Sequence, residues 1–275
     1  NNMGDEQFHI LGAGALGLGL YTQIKSKNKY LITRTKGPTN ITTQLKNDKS
    51  SIVKLQYHPN KTIKNNLIIC TKAYDTRTAL LSISKKIDKT CIIALCQNGH
   101  QNITNLQKIL PNNIFALTPC LFGATLKQNK LTLSNTPEIK IGPTNNKHCD
   151  KIFSLSKTLN ANGILTTYDN NIQNAIKKKL IINATLNALG GLHQKTHQQI
   201  MQTPELKQQA QLLCIESTNI LNQQQFICEP NTMWNNIINL MPKIGSNYSS
   251  MAQDIFQQKQ TEKKLLQEKR DVKYN

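Results

Sequence analysis

Residues 8–17 read FHILGAGALG, and this stretch indicates how the chain begins to fold. Phe8–Leu11 is an apolar run of strand length, and Gly12-Ala13-Gly14-Ala15-Leu16-Gly17 fits G-x-G-x-x-G at the start of a helix. The three glycines allow a tight turn, close approach of the backbone to a pyrophosphate, and close packing of helix on strand. The helix N-terminus adds free N–H groups that attract an anion. The stretch predicts a dinucleotide-binding turn; a glycine-rich turn without a ligand is the alternative.

Short apolar runs continue to alternate with helical patterns up to about residue 166. Strands are predicted at 30–33, 67–71, 91–96 and 114–117, with helices from near residue 15 and over 76–87 and 102–110. Strands and helices that alternate with short connections predict a parallel, doubly wound sheet. Two later runs, 130–133 and 138–141, predict a hairpin.

The second part of the chain has helical patterns only. Helices are predicted at 171–189, ending at Gly190-Gly191; from Thr203-Pro204-Glu205 onward; at 230–240, closed by Pro242 and Gly245; and at 249–268. Proline at the first helical position and glycine past the last one are typical helix boundaries. The predicted fold is therefore α/β: an N-terminal Rossmann domain with a doubly wound sheet at 1–166, followed by an all-helical C-terminal domain at 167–275.

The chain is strongly basic. Its 275 residues include 34 Lys and Arg against 15 Asp and Glu, a formal net charge of +19. Such a surface attracts nucleotides, phosphates, carboxylates and nucleic acid alike. A bias of base composition toward Lys, Asn, Gln and Ile is the alternative explanation. A nucleic-acid partner is disfavoured, because aromatic residues make up only 5% and no reading motif is present.

The lack of a recognisable targeting signal and the pattern of cysteines predict a cytoplasmic protein. No apolar run approaches the roughly 18–20 residues of a membrane span, and residues 1–7 lack the order of a signal peptide. No two cysteines form a C-x-x-C pair, and several lie in apolar runs. The pattern predicts reduced, buried thiols, with no disulfide framework and no metal site. The seven cysteines are Cys70, Cys91, Cys96, Cys120, Cys149, Cys214 and Cys228.

The end of the second strand indicates which dinucleotide binds. An NAD site requires an acid about 20 residues after the glycine turn, for the ribose 2′-OH. No Asp or Glu stands between Glu6 and Asp48, and Arg34 and Lys36 follow the strand instead. Cations suit a 2′-phosphate, so the pattern predicts NADP. Lys36 alone could be incidental in a lysine-rich chain.

Two further polar residues follow strands of the predicted sheet. Lys72 follows the strand 67–71, and Asn98 follows the strand 91–96. Ligands of open parallel sheets bind beyond the carboxyl ends of the strands, so both are candidate contacts to cofactor or substrate. A solvated lysine and an Asn-Gly turn are the alternatives.

A polar row interrupts the apolar helix predicted at 171–189. Lys179, Asn183 and Asn187 recur at i, i+4 and i+8, which places them on one face. Burying a lysine and two carboxamides without partners is costly, so the row must pack on polar groups or line a wet cleft. A small polyoxygenated anion suits these donors and acceptors. An exposed polar stripe is the alternative.

The last predicted helix carries two candidates. Ser250 and Gln253 match a capping box, which explains both structurally, although a serine at a helix N-terminus also suits a carboxylate. Glu262 lies 12 positions later, roughly 18 Å along a straight helix. Both can contact one small ligand only if the helix bends.

Five motifs together resemble a known family, the ketopantoate reductases (2-dehydropantoate 2-reductases). The motifs occur in the order and at the rough spacing of the family over nearly the whole chain. They are GAGALG at 12–17, CTKA at 70–73, QNG at 97–99, K-L-x-x-N-x-x-x-N at 179–187, and S-M-x-Q-D followed by T-E at 250–262. The family's fold is a Rossmann domain followed by a helical domain similar to that of 6-phosphogluconate dehydrogenase. This chain departs from the family at His100 and at Lys263-Lys264.

The resemblance implies reduction of 2-dehydropantoate to (R)-pantoate by NADPH, on the route to pantothenate and coenzyme A, in a cleft between the domains. Lys179 resembles the catalytic lysine, and Glu262 resembles an acid near the cofactor ribose and the reaction centre. The substrate contacts would be Asn98, Asn183, Asn187 and Ser250. The cofactor contacts would be Gly12, Ala13, Gly14, Ala15, Leu16, Gly17, Arg34, Lys36, Lys72, Asn98 and Glu262.

The expected partner is a small keto acid, with no metal, nucleic acid or membrane, in a monomer or homodimer. Three other functions stay open on the sequence alone. They are a reductase of another 2-keto or 3-hydroxy acid, a non-catalytic NADP-binding module, and a nucleic-acid binder suggested only by the charge of +19.

Overall fold

The computed structural model describes residues 6–46, 48–96, 103–145, 147–223, 226 and 228–256. The chain divides into two compact units, Asn1–Gln173 and Asn174–Asn275. The first unit is mixed α/β and the second is helical, as predicted. Within these ranges no helix combines the length and apolar character that crossing a membrane requires.

The larger sheet of the first unit has the strand order β11-β10-β7-β6-β5-β1-β2. Its pairs are parallel except β7 with β10, which confirms the predicted doubly wound sheet. The strands of the unit are β1 (Phe8–Leu11), β2 (Lys29–Ile32), β3 (Asn40–Leu45), β4 (Ser51–Lys54), β5 (Asn66–Ile69), β6 (Ile92–Leu95), β7 (Ile114–Leu117), β8 (Ala124–Lys127), β9 (Lys130–Leu133), β10 (Glu138–Pro143) and β11 (Leu165–Tyr168). Its helices are α1 (Ala15–Gln23), α2 (Ala73–Ile83), α3 (Ile103–Ile109) and α4 (Cys149–Ala161).

The central strands of this sheet are buried on both faces. All residues of β1 and β5 are buried, which explains why these strands read as continuous apolar runs. Phe8 and Ile10 join the core cluster that contains Leu20 of α1, whereas Leu11 joins the cluster that contains Leu80 of α2. Successive side chains point to opposite faces of a strand, so the sheet forms a layer between two helical layers.

A smaller sheet with the order β4-β3-β9-β8 packs on α1. Gln128 and Asn129 join β8 to β9 with φ of +44° and +62°, as a two-residue hairpin loop requires. The predicted hairpin of 130–133 with 138–141 is wrong, because β9 pairs with β8 and β3 while β10 pairs with β7 and β11. Both runs alternate as strands do, but turn geometry determines the partner of each.

Among the described residues of the second unit, the buried apolar side chains form one hydrophobic core. It includes Ile181, Leu186, Cys214, Trp234 and Ile237. Helix α8 begins at Pro204 after Thr203, as predicted. The helices are α5 (Ile172–Ile182), which crosses the unit boundary, a π-helical turn (Asn183–Asn187), α6 (Ala188–His193), α7 (His197–Gln202), α8 (Pro204–Asn222), α9 (Pro230–Ile244) and α10 (Ser250–Phe256).

Two predicted helix ends are wrong. The helix expected to stop at Gly190-Gly191 continues through both glycines to His193 and ends where Gln194 has a φ of +51°. Helix α9 continues past Pro242 to Ile244. A proline in the last turns removes only one backbone hydrogen bond, so the helix can continue through it.

The prediction that no cysteine forms a disulfide is also wrong. Cys96, after β6, and Cys120, after β7, are joined as a disulfide with Cα atoms 6.4 Å apart. The two residues are 24 positions apart in sequence, and the pairing of two adjacent parallel strands brings them together. The other cysteines are free thiols: Cys70, Cys91, Cys149, Cys214 and Cys228.

Candidate active site

The glycine turn joins β1 to α1, and each glycine has a separate steric role. Gly12 has a φ of +102°, which strains residues with a side chain, and a Cβ there would lie 3.0 Å from the Thr71 nitrogen. A Cβ at Gly17 would collide with the carbonyl oxygen of Gly12. At Gly14 a Cβ would meet no atom of the described residues within 4 Å, apart from its chain neighbours. The space above Gly14 is therefore open, which fits a bound pyrophosphate.

The first turn of α1 follows Gly14, which is its N-cap residue and has no side chain to cap the helix. The Leu18 amide donates to the Gly14 carbonyl at 2.9 Å, so the helix is regular from its start. Ala13, Ala15 and Leu16 direct their side chains against the core. Their contribution to an anion site would be the backbone N–H groups of the turn.

The buried side chain that packs against the glycine turn, that of Cys70, is uncharged. A Cβ at Gly17 would lie 3.2 Å from the Cβ of Cys70, the residue that follows β5. Burial raises the pKa of the Cys70 thiol far above its usual range. The thiol therefore stays neutral and does not oppose an anion at the turn.

Arg34 and Lys36 lie in an exposed turn after β2. The Thr33 hydroxyl donates to the Thr35 carbonyl at 2.8 Å, and the Tyr57 hydroxyl donates to the Pro38 carbonyl at 2.9 Å. These bonds hold the backbone on both sides of the two cations. Because β2 pairs with β1 in parallel, the cations follow the strand next to the glycine turn.

Lys72 is the N-cap residue of α2 and lies three positions after the end of β5. Its carbonyl accepts hydrogen bonds from the Asp75 amide and the Thr76 hydroxyl, both at 3.0 Å. Since that hydroxyl has one proton, the Thr71 hydroxyl donates to Thr76 Oγ1 at 2.9 Å. Thr71, which lies within the CTKA motif, and Thr76, which belongs to none of the motifs, therefore fix the backbone of Lys72 beside Gly12. No spacing rule in the sequence marks such a hydroxyl pair.

The polar row lies on the helix interrupted by the π-turn. Lys179, Asn183 and Asn187 are each half-buried, whereas Leu180 and Ala184 beside them are exposed. In an uninterrupted α-helix, Asn187 would be rotated about 80° from Lys179. In the π-turn the backbone hydrogen bonds join residues i and i+5, so the turn holds one residue more than an α-helical turn. The residues after it are therefore rotated back about the helix axis by about 100°, the rotation of one residue. Asn187 therefore lies within about 20° of Lys179, in closer alignment than the i, i+4, i+8 spacing implies.

The start of α10 differs from the predicted capping box. The Ser249 hydroxyl, one residue before Ser250, accepts from the Ala252 amide at 3.0 Å, and Gln253 Nε2 donates to the Tyr248 carbonyl at 3.1 Å. The predicted cap is therefore wrong by one residue. Ser250 is the first residue of α10.

The predicted site residues fall into two groups. Residues 12–17, Arg34, Lys36 and Lys72 belong to the first unit, and Lys179, Asn183, Asn187 and Ser250 belong to the second. Asn98 and Glu262 lie outside the described residues, as does the predicted helix beyond 256. Within the described ranges, no group of three or more His, Cys, Asp or Glu side chains could hold a metal ion.

Comparison with known families gives two matches along the chain. Residues 8–146 match the family described as ketopantoate reductase PanE/ApbA, and residues 171–268 match its C-terminal family. A 2-dehydropantoate 2-reductase of Aquifex aeolicus is 24% identical over 204 residues, which cover 70% of this chain and 64% of that protein. One from Vibrio cholerae is 25% identical over 263 residues, or 92% and 86% of the two chains. The chain thus spans less than two thirds of the A. aeolicus relative.

Solved structures with the same fold include a 2-dehydropantoate 2-reductase from Geobacter metallireducens, with a TM-score of 0.82 and 15% identity over 93% of this chain and 89% of that one. A D-mandelate dehydrogenase with NADH and anilino(oxo)acetate has a TM-score of 0.80 and 19% identity over 93% and 87%. At these identities the likeness establishes the fold alone. Since the two family matches together cover most of the sequence, the chain belongs to the ketopantoate reductase family.

Proposed function

We propose that the protein reduces 2-dehydropantoate to (R)-pantoate with NADPH. The observation that carries the proposal is the half-buried row of Lys179, Asn183 and Asn187, aligned by a π-turn. Relatives described as 2-dehydropantoate 2-reductases support the choice of substrate. The product would serve the synthesis of pantothenate and coenzyme A.

NADPH is the cofactor that the residues of the first unit favour. The backbone amides of residues 12–17 would hold its pyrophosphate, Arg34 and Lys36 its 2′-phosphate, and Lys72 a further phosphate oxygen. The D-mandelate dehydrogenase with a similar fold was solved with NADH, which supports a nicotinamide cofactor. The sequence between Glu6 and Asp48, which lacks an acid, favours the phosphorylated form. When bound, NADPH supplies the hydride.

Lys179 is the proton donor in this proposal. Its ammonium would hydrogen-bond the keto oxygen and transfer a proton as negative charge develops on that atom. Asn183 and Asn187 each carry a donor and an acceptor, which suits the carboxylate and hydroxyl groups of the substrate. The remaining polar contacts would come from Asn98, Ser250 and Glu262.

Oxidation of NADPH, followed by absorbance, tests the proposal directly. The purified chain is offered 2-dehydropantoate and, in parallel, other branched 2-keto acids, each with NADPH and with NADH. We expect the highest kcat/KM for 2-dehydropantoate with NADPH. Equal use of the two cofactors would contradict the role of Arg34 and Lys36. If no keto acid were reduced at all, a non-catalytic NADP-binding module would be the remaining candidate function.

A reductase of a different 2-keto acid is the second candidate. The D-mandelate dehydrogenase with a TM-score of 0.80 favours it, since that fold also serves an aryl 2-hydroxy acid. The keto acid that corresponds to mandelate therefore belongs in the same assay. A higher kcat/KM for it than for 2-dehydropantoate would replace the first proposal with the second.

The protein would act as a monomer or a homodimer. A ketopantoate reductase from Staphylococcus aureus with the same fold, at a TM-score of 0.75, is described as dimeric. That description supports a homodimer as one of the two states.

A further inference from the structure

A buried hydroxyl connects the π-turn to the start of α10. Ser249 is 2% exposed and immediately precedes α10. Its hydroxyl accepts from the Ala252 amide at 3.0 Å and donates to the backbone carbonyl of Asn187 at 3.4 Å. A hydroxyl has one proton and two lone pairs, so the same group makes both bonds. Ser249 therefore links the last residue of the π-turn to the helix that begins with Ser250.

The packing around Ser249 leaves it little freedom. A Cβ at position 190 would lie 2.9 Å from Ser249 Oγ, and one at position 191 would lie 2.9 Å from the Met251 Cγ. Glycine inside a helix costs about 1 kcal/mol relative to alanine. The close approach of α10 to α6 gives a physical reason for both glycines.

The segment before Ser249 is also held in place. The His197 amide donates to the Asn247 carbonyl at 3.1 Å, and the Gln198 amide donates to the Gly245 carbonyl at 2.8 Å. Tyr248 pairs with Thr196 as an isolated bridge. The first turn of α7 therefore fixes the chain that leads into Ser249.

The opposite side of the π-turn is anchored in the core. Thr185 and Leu186 are fully buried, and the π-turn that contains them contacts α8. The π-turn is thus held by α8 on one side and by Ser249 on the other. The bond from Ser249 thus contributes to the position of the Asn187 backbone.

We propose that Ser249 is a positioning residue for substrate binding. It fixes Asn187 and the start of α10, where Ser250 lies, relative to each other, so that both can bind one small anion. The inference rests on the proposed function, because Asn187 and Ser250 are the proposed substrate contacts. Ser249 itself touches no substrate and acts only through those two residues.

The variant Ser249→Ala removes both hydrogen bonds and tests the proposal. We expect the KM for 2-dehydropantoate to rise roughly three- to tenfold, the effect of losing one net hydrogen bond. The Kd of NADPH, followed by its fluorescence, should change less than twofold, because the glycine turn belongs to the other unit. Ser217→Ala, the same change at a half-exposed position on α8, is the matched control and should leave the KM unaltered. An unchanged KM in folded Ser249→Ala would overturn the proposal.

Two further variants separate positioning from general stability. Gly190→Ala keeps the Ser249 hydroxyl but crowds it, so the KM should rise in the same direction. In a Ser250→Ala background, Ser249→Ala should have a smaller effect than in the native chain, since one of the two residues that it positions has lost its side-chain hydroxyl. An undiminished effect in that background would show that Ser249 acts independently, and would contradict the proposal.

Amide hydrogen exchange tests the junction without any substrate. Ser249→Ala should speed exchange at Ala252 and in residues 187–191, whereas Ser217→Ala should not. If the native chain reduces no 2-dehydropantoate, the proposed function fails and the exchange result still decides whether the link exists. If the native chain is active and exchange rises while the KM stays constant, the positioning role alone fails.

Discussion

At the residue scale, burial distinguishes Lys179 from its neighbour Lys178. Lys178 is exposed, whereas Lys179 is half-buried and aligned with Asn187 by the π-turn. In the proposed function, this half-buried lysine in a row with two carboxamides would donate a proton to the keto oxygen of the substrate.

Replacing Lys179 by alanine should therefore lower kcat by about 10²- to 10⁴-fold, the usual contribution of a general acid. The Kd of NADPH should stay the same, because the proposed cofactor contacts are in the first unit. The measurements are steady-state NADPH oxidation and NADPH fluorescence titration. Lys178→Ala, the same change one residue earlier, serves as the control and should keep native turnover. Turnover near the native rate in Lys179→Ala would remove the proton-donor role.

At the element scale, the glycine turn offers a matched pair of substitutions. Within the part of the chain that the structure describes, a Cβ at Gly14 meets no atom within 4 Å beyond its chain neighbours, whereas a Cβ at Gly17 collides with the Gly12 carbonyl. The two glycines thus differ in purpose: Gly14 leaves space for a ligand, and Gly17 allows the helix to pack on the turn.

We expect Gly14→Ala to fold with a native melting temperature and to bind NADPH at least tenfold more weakly. Gly17→Ala should lose about 1–3 kcal/mol of stability or more, because the collision is with backbone and cannot relax by a side-chain rotation. Thermal unfolding and fluorescence titration measure the two effects. Native NADPH affinity in Gly14→Ala would show that no pyrophosphate lies on this turn.

At the scale of the whole molecule, each unit contains a buried histidine whose ionisation opposes folding. His9 is 1% exposed and His197 is 7% exposed. Burial lowers the pKa of both imidazoles from 6.5 to about 4, and repulsion from His58 adds to the effect on His9. Both histidines are therefore neutral in the folded protein at pH 7.

Stability should consequently fall as the pH decreases from about 6.5 to about 4. In this window the unfolded chain binds more protons than the folded one, so the free energy of unfolding declines by up to about 3 kcal/mol for each histidine. Above pH 7 both states are neutral at these positions, and below pH 4 both are charged. Thermal unfolding between pH 4 and 8 measures the effect.

The variant His9→Gln, which cannot ionise, should reduce this dependence on pH. His193→Gln is the control, because His193 is exposed and should leave the dependence unaltered. If His9→Gln and the native chain lost stability in parallel as the pH fell, His9 would not be a source of the acid sensitivity.

Local patterns in the sequence predict the strands of the main sheet, the glycine turn and the two-part fold. The limits of β1 and β7 agree with the runs 8–11 and 114–117, and α8 begins at Pro204 as expected. These features depend on the period at which apolar residues recur and on the positions of glycine and proline. Both act over a few neighbouring residues. The row of Lys179, Asn183 and Asn187 is visible for the same reason.

Other features depend on residues that are distant in the sequence. The partner of β9, the bond between Cys96 and Cys120, and the close packing of α10 on Gly190 each join segments that no local pattern relates. The π-turn is of the same kind, because its buried residues Thr185 and Leu186 lie where the turn contacts the distant helix α8. Periodicity determines which face of an element is apolar, whereas the packing of one element on another determines what that face contacts and how its polar residues are aligned.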